Sequence, residues 1–339
     1  MNLESLVAIP SYESEGGMCG LVADFLAGHG VKTEIIKSKG GHYSLLAGGK
    51  GKIAFVSHGD TYGITNGWET DPLKLHIAGD KAYGLGSADM KGGLLAQLNA
   101  FLCLLDGGQE AKFAMLGDEE GISAGMVDAM GSGFFAGVEA AIFSEPSSIS
   151  GAGEIACITK SPGRASFDID IGFAASHPVE YKGNIQRVCE AIAKADGKWI
   201  VSSFLMHSDY MESPSKGKVQ ISRLGYDGKG ECLRKLEKML SPLKGQFAIK
   251  ETKRKTPYAP PIMLEKGSKL HKVCSGLGLP VAESKVVFDM NYMAMLEVPA
   301  VNIGPVGGNL HSPNEWVSLS SIEKCEQYLV GICRSLQSV

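Results

Sequence analysis

Four short stretches of the chain are continuously apolar rather than alternating: KIAFVS at 52–57, AKFAMLG at 111–117, AAIFS at 140–144 and VPAVNIG at 298–304. Runs of this kind predict strands covered on both faces, as in a sheet packed between helices. Helical patterns lie between them. In GGLLAQLNAFLCLL at 92–105, Leu94, Leu95, Leu98, Phe101, Leu102 and Leu105 form one broad apolar stripe. The alternation predicts an open α/β sheet.

The middle of the chain follows another rule. RASFDIDIG at 164–172 alternates, with Ala165, Phe167, Ile169 and Ile171 on one face and Ser166, Asp168 and Asp170 on the other. KVQIS at 218–222 is similar. Strands with one wet face predict an antiparallel sheet. NIQRVCEAIAKA at 184–195 and ECLRKLEKMLSPL at 231–243 add two amphipathic helices. The expected organisation is an α/β domain built from 1–160 and 258–339, with an α+β domain at 161–257 inserted into it. The turn-forming SPGR and the charged, proline-ended KETKRKTPYAPP mark the two crossings.

Composition narrows the picture only a little. The 339 residues are 44% hydrophobic and 21% charged, an ordinary globular balance with length enough for two domains. A formal net charge of −4 gives no electrostatic case for nucleic acid or an anionic membrane as partner. The stretch MNLESLVAIPSYESEGG has no basic n-region and no long apolar run, so neither a signal peptide nor a membrane helix is expected. Eight cysteines, none in a C-x-x-C pair, read as reduced thiols of a cytoplasmic protein.

The chemistry gathers where the apolar runs end. KIAFVS leads to His58 and Asp60, AKFAMLG to Asp118, Glu119 and Glu120, AAIFS to Glu145, and VPAVNIG to a glycine-rich loop and His311. Ligands of open α/β sheets bind outside the carboxyl ends of the strands. Each residue has an ordinary explanation when taken singly. His58 could be a hydrogen-bonded packed imidazole, Asp89 in YGLGSADMKGG a helix N-cap, the three acids a solvated turn, and Glu145 and His311 loop residues. Two nucleotide patterns fail, because the sixth residue of the G-x-G-x-x-G begun by Gly84 is Asp89 and GGKGK lacks the Walker form. GISAG at 121–125 matches the serine-hydrolase elbow, which makes Ser123 with His311 a rival centre. Three acids stand between that serine and its strand, and the rival leaves Asp89, Glu120 and Glu145 unexplained. Taken together, two histidines and several acids at adjacent strand ends fit a cluster of divalent cations. Without cations the carboxylates would repel one another. Mixed imidazole and carboxylate donors suit zinc, with cobalt or manganese able to replace it. Of the adjacent Glu119 and Glu120, one can bind metal while the other moves protons.

The motifs SHGDT, W-x-TDPLKL with YGLGSADMKGG, DEEG, SEPS and HSPNEW occur in this order along the chain. With them the sequence resembles the M20 family of metallopeptidases and deacylases, which includes acetylornithine deacetylase, succinyl-diaminopimelate desuccinylase and carboxypeptidase G. The resemblance implies a zinc-peptidase-like catalytic domain with a mixed, largely parallel sheet and an inserted ferredoxin-like lid or dimerisation domain. It implies two zinc ions, one on His58 and Glu145, the other on Glu120 and His311. Asp89 would bridge them, with a cis peptide after it. Asp60 would orient His58, and Glu119 would carry a proton from water to the leaving amine. His177 would support the oxyanion, Arg223 would grip a substrate carboxylate, and Asn184 would assist. Glu145, where the branch attacking free N-termini has Asp, favours deacylases and carboxypeptidases.

One segment departs from the family. Before Asp289, where relatives carry a small GTS-like run, this chain reads KVVFDMN. Lys285 with Asp289, Met290 and Asn291 is similar to the subgroup that releases lysine or ornithine from a carrier protein or an acetyl group. The expected activity is therefore removal of the acyl group from a small N-acyl amino acid, with N-acetylornithine first and a homodimer through 161–257 possible. Succinyl-diaminopimelate, carrier-bound lysine or ornithine, and C-terminal dipeptides are the alternatives. Amino-acid biosynthesis, of arginine or lysine, is the expected setting. Outside this class stand a serine hydrolase using Ser123 and a non-catalytic binding protein, against which the retained Glu119 argues.

Overall fold

The computed structural model describes residues 1–172, 188, 190–192, 194, 195, 197–207, 216–243 and 246–337. Its chain divides into two compact units, Met1–Ser161 with Ile262–Val339, and Pro162–Pro261. No helix among the described residues is long and apolar enough to cross a membrane.

The first unit opens with helices α1 (Leu3–Val7) and α2 (Gly16–Gly28) and strands β1 (Thr33–Lys37), β2 (Tyr43–Ala47) and β3 (Ile53–His58). Short β4 (His76–Ala78) and β5 (Lys81–Tyr83) lead to α3 (Gly92–Asp106), β6 (Lys112–Leu116), α4 (Ala124–Gly131), β7 (Ala140–Phe143) and β8 (Cys157–Ser161). The second unit contributes β9 (Gly163–Gly172), β10 (Trp199–His207), β11 (Lys216–Gly225), α5 (Lys229–Leu240) and β12 (Gln246–Glu251). The chain then returns through β13 (Ile262–Met263), α6 (Lys269–Gly276), β14 (Val281–Glu283), β15 (Ala300–Asn302), β16 (Gly307–Gly308), β17 (Trp316–Ser318) and α7 (Leu319–Gln337).

The four continuously apolar runs are the four parallel neighbours β6, β3, β7 and β15 at the centre of a nine-stranded sheet. Every residue of these strands is buried, as expected of strands covered on both faces. Phe55, Phe113 and Phe143 are fully covered, each stabilising the unit by about 1.5–3 kcal/mol relative to an exposed ring. Parallel direction puts all four carboxyl ends on one edge. The register sets His58 level with Leu116 and Asn302 level with Phe143, so the polar residues that follow emerge side by side. Antiparallel β1, β2, β8 and β13 complete the mixed sheet, with β14 parallel to β8.

Helix α3 is buried on more of its circumference than its leucine stripe predicts, with Ala96, Gln97, Ala100 and Leu104 covered as well. The reason is a second partner: α7 packs on its far side, presenting Ile322, Cys325, Leu329, Ile332 and Leu336 at helical spacing. Gln97, fully buried, donates to the carbonyls of Val56 and Ile142 and to Ser144 Oγ, linking the helix to β3 and β7. Gly93 permits this approach, because a Cβ there would collide with the Ser144 carbonyl oxygen. A small antiparallel sheet, β16-β17-β5-β4, carries the loops on which Asp89 and His311 stand.

The second unit is a four-stranded antiparallel sheet, β10-β11-β9-β12. Strand β9 alternates in burial as its sequence predicts, and Ala165, Phe167, Ile169 and Ile171 pack with Cys232, Leu236 and Leu240 of α5.

Candidate metal centre

His58 ends β3 with 2% of its surface exposed. Its Nδ1 lies 3.0 Å from the Asp60 carbonyl oxygen, which can only accept, so Nδ1 carries a proton and donates it. Nε2 then faces outward, 3.1 Å from Asp89 Oδ1 and 3.4 Å from Glu145 Oε1. On the other side of Asp89, His311 Nε2 lies 3.3 Å from Oδ2 and 2.9 Å from the Glu120 carboxylate. Asp89 therefore turns one oxygen to each histidine. The donor atoms of His58, Asp89 and Glu145, and those of Asp89, Glu120 and His311, each fall within 4.8 Å of one another.

These spacings suit divalent cations. Two ligands held about 2.1 Å from one tetrahedral ion stand about 3.4 Å apart. The chain alone pairs acceptors with acceptors; against burial, His311 and His58 hold Asp89 below the carboxylate range, and the proton affinities of its partners rise. Burial pushes Glu145 up to about 8, with the His58 charge opposing and the Asp89 charge adding. Hydrogen bonds to Asp89 and Glu120 lift His311 to about 10 against burial. Burial works against a charge on His58, yet Glu145, Asp60 and Asp89 hold its pKa well above the imidazole range. A cation in each triad would take the place of these protons.

The supports come from distant segments. Asp60 sends its carboxylate mainly to the acidic loop, accepting the N–H of Glu119 at 3.2 Å and of Glu120 at 3.0 Å, with Oδ1 at 3.5 Å from His58 Nδ1. Glu315, 3% exposed, accepts the N–H groups of Gly86 (2.8 Å), Ala88 and Asp89 (both 2.9 Å), beneath the kinked segment that holds Asp89. The Asp89–Met90 peptide in that segment is cis. Asn302 of β15 pairs reciprocally with the Glu145 backbone, Oδ1 accepting its N–H at 2.7 Å and Nδ2 donating to its carbonyl at 2.9 Å. Sequence pattern alone assigns no role to Glu315 or Asn302. A polar residue inside the apolar VPAVNIG run, and an acid next to Trp316 in HSPNEW, were the available signals. Tyr62, half-exposed, stacks on the His311 ring at 4.7 Å and 8°.

Glu119 stands in the same loop as Glu120, and its side chain makes no hydrogen bond or ion pair among the described residues. Burial raises its pKa well above the carboxylate range, opposed by His58 and reinforced by Glu145, Asp289 and Glu120. Asp289 lies buried nearby, at 3% exposure. Ser123 immediately precedes α4 in a left-handed conformation, at φ 60°, with 9% of its surface exposed. In the second unit Arg223 is 2% exposed, and its Nε and Nη2 both donate to Asp227 Oδ2, at 3.1 and 3.0 Å, with the Trp199 ring 5.1 Å away. His177 and Asn184 lie outside the described residues.

A model of peptidase family M20/M25/M40 matches residues 54–335. An acetylornithine deacetylase of Pasteurella multocida is 38% identical over 86 residues, which cover 24% of this chain and 22% of that protein. A [LysW]-lysine/[LysW]-ornithine hydrolase of Sulfurisphaera tokodaii is 27% identical over 305 residues, covering 85% of this chain and 81% of that one. The chain spans only 22% to 34% of the length of the first three curated relatives it matches. Among solved structures, aminopeptidase PepT from Bacillus cereus superposes with a TM-score of 0.77 at 17% identity, covering 98% of this chain and 96% of that one, a likeness of fold.

Proposed function

The chain belongs to peptidase family M20/M25/M40, and from that membership we propose a two-cation hydrolase that removes the acyl group from an N-acyl amino acid, with N-acetylornithine the first substrate. Succinyl-diaminopimelate, a carrier-bound lysine or ornithine, and C-terminal dipeptides are the alternatives. The observation that carries the reading is Asp89, whose two oxygens each face a different histidine–carboxylate pair, with the Glu119 carboxylate in the adjoining loop.

In this reading His58, Glu145 and Asp89 would hold one zinc ion, and Glu120, His311 and Asp89 would hold the other, with cobalt or manganese as substitutes. When bound, the cations supply Lewis acidity to the amide carbonyl and lower the pKa of water toward about 7. Glu119 takes the proton from the attacking water and returns it to the amine as the carbon–nitrogen bond breaks. Asp60 fixes the Glu119–Glu120 backbone and His58 together. Arg223 serves the substrate carboxylate by exchanging Asp227 for it, a planar donor suited to the task. His177 is assigned to the oxyanion and Asn184 to substrate binding. The Pro162–Pro261 unit serves as lid or dimerisation unit, and the free thiols among the described cysteines suit a cytoplasmic setting.

A panel of acetyl, succinyl and dipeptide substrates, assayed with zinc and with cobalt, tests the reading. Chelator-sensitive release of free ornithine is expected, with no labelling of Ser123 by a fluorophosphonate. Chelator-resistant turnover with Ser123 labelled would replace this reading by the serine hydrolase.

A further inference from the structure

Glu15 lies outside every role described so far, yet its carboxylate is 3% exposed and fully engaged. It stands at the start of α2 without making a capping bond to that helix. Oε1 accepts the N–H of Asp118 at 3.2 Å, and Oε2 that of Tyr43 at 3.1 Å. His42 Nδ1 lies 3.0 Å from Oε1, and its Nε2 is 3.5 Å from Asp118 Oδ1. Burial works against a charge on His42, but Glu15 and Asp118 together raise its pKa.

The consequence appears in the loop. Three successive N–H groups, of Asp118, Glu119 and Glu120, all end on carboxylates: the first on Glu15, the next two on Asp60. Asp118 has a left-handed backbone, φ 63°, uncommon for a residue with a side chain. Its own carboxylate accepts from Ile122 at 3.4 Å and Ala124 at 3.2 Å. Asp60 thus secures the loop from the β3 side, and Glu15 from the N-terminal side, 103 residues away in sequence.

We propose that Glu15, held by His42, is a positioning residue for the hydrolytic step, fixing the loop that presents Glu119 and Glu120. The inference rests on the amide-hydrolase reading above. Glu15→Gln keeps the volume but turns an amide donor toward backbone donors. In the zinc-loaded enzyme with N-acetylornithine, E15Q should lower kcat about a hundredfold and leave KM within about threefold. Two bound cations should be retained, and amide hydrogen exchange in residues 117–122 should speed up. His42→Leu should lose about tenfold in kcat, and His42→Asn, which keeps a donor toward Glu15, should recover most of it. Wild-type kcat and wild-type loop exchange in E15Q overturn the proposal, as does an exchange increase spread evenly over α2 and β2. If E15Q fails to fold, unchanged kcat and loop exchange in H42L overturn it. If the wild-type protein hydrolyses no amide, the functional reading falls by itself, and loop exchange in E15Q and H42L still decides the clamp.

Discussion

The carboxylate of Glu315 accepts the backbone N–H of Asp89 at 2.9 Å, across 226 residues of sequence. It also accepts from Gly86 and Ala88, so one buried acid supports the whole turn that aims Asp89 at both histidines. Glu315→Gln offers one acceptor oxygen in place of two and points an amide at a backbone donor. An unsatisfied buried donor costs about 1–3 kcal/mol, and a lost support behind a ligand weakens metal binding about 10–100-fold. Zinc titration and thermal melting of E315Q should record both losses. Unchanged zinc affinity would mean that Asp89 holds its position without this acid.

Glu119→Gln separates proton transfer from metal binding. The amide keeps the shape of the side chain but cannot accept a proton from water. Turnover should fall by about a hundredfold to ten-thousandfold, while metal analysis still finds two cations per chain. Turnover near the wild-type rate would remove Glu119 from the mechanism.

In the cation-free chain burial pushes Glu145 up to about 8 and hydrogen bonds to Asp89 and Glu120 lift His311 to about 10, so the centre favours bound protons at neutral pH. Cations must displace these protons to bind. Apparent affinity should therefore rise with pH between 6 and 8, by about tenfold per pH unit for each proton displaced. Calorimetric titration of chelator-stripped protein in buffers of different ionisation enthalpy should detect the released protons. Affinity that does not change with pH would contradict this arrangement of donors.

Gly93→Ala tests the seating of α3 on the end of β7. The added methyl meets a backbone oxygen, that of Ser144, which cannot turn away as a side chain could. Overpacking of this kind costs about 1–3 kcal/mol. Because Ser144 precedes Glu145, catalysis should suffer along with stability. Urea denaturation of G93A with an unshifted midpoint would show that the helix moves aside at no cost.

Burial period and residue type were legible from the chain alone. Continuous apolar runs marked β3, β6, β7 and β15, alternation marked β9, and His58, Glu120, Glu145 and His311 stood out as ligand types after buried strands. This works because period and polarity are local consequences of which faces of a strand are covered. The destinations of hydrogen bonds were not legible. Tertiary structure decided that the Asp60 carboxylate serves the Glu119–Glu120 backbone, that Asn302 holds Glu145 and that Glu15 holds Asp118. It also decided that α7 covers the outer side of α3. Such partners depend on strand register and on segments 59 to 226 residues apart converging on one edge of the sheet. Nothing in the neighbourhood of either partner encodes that meeting.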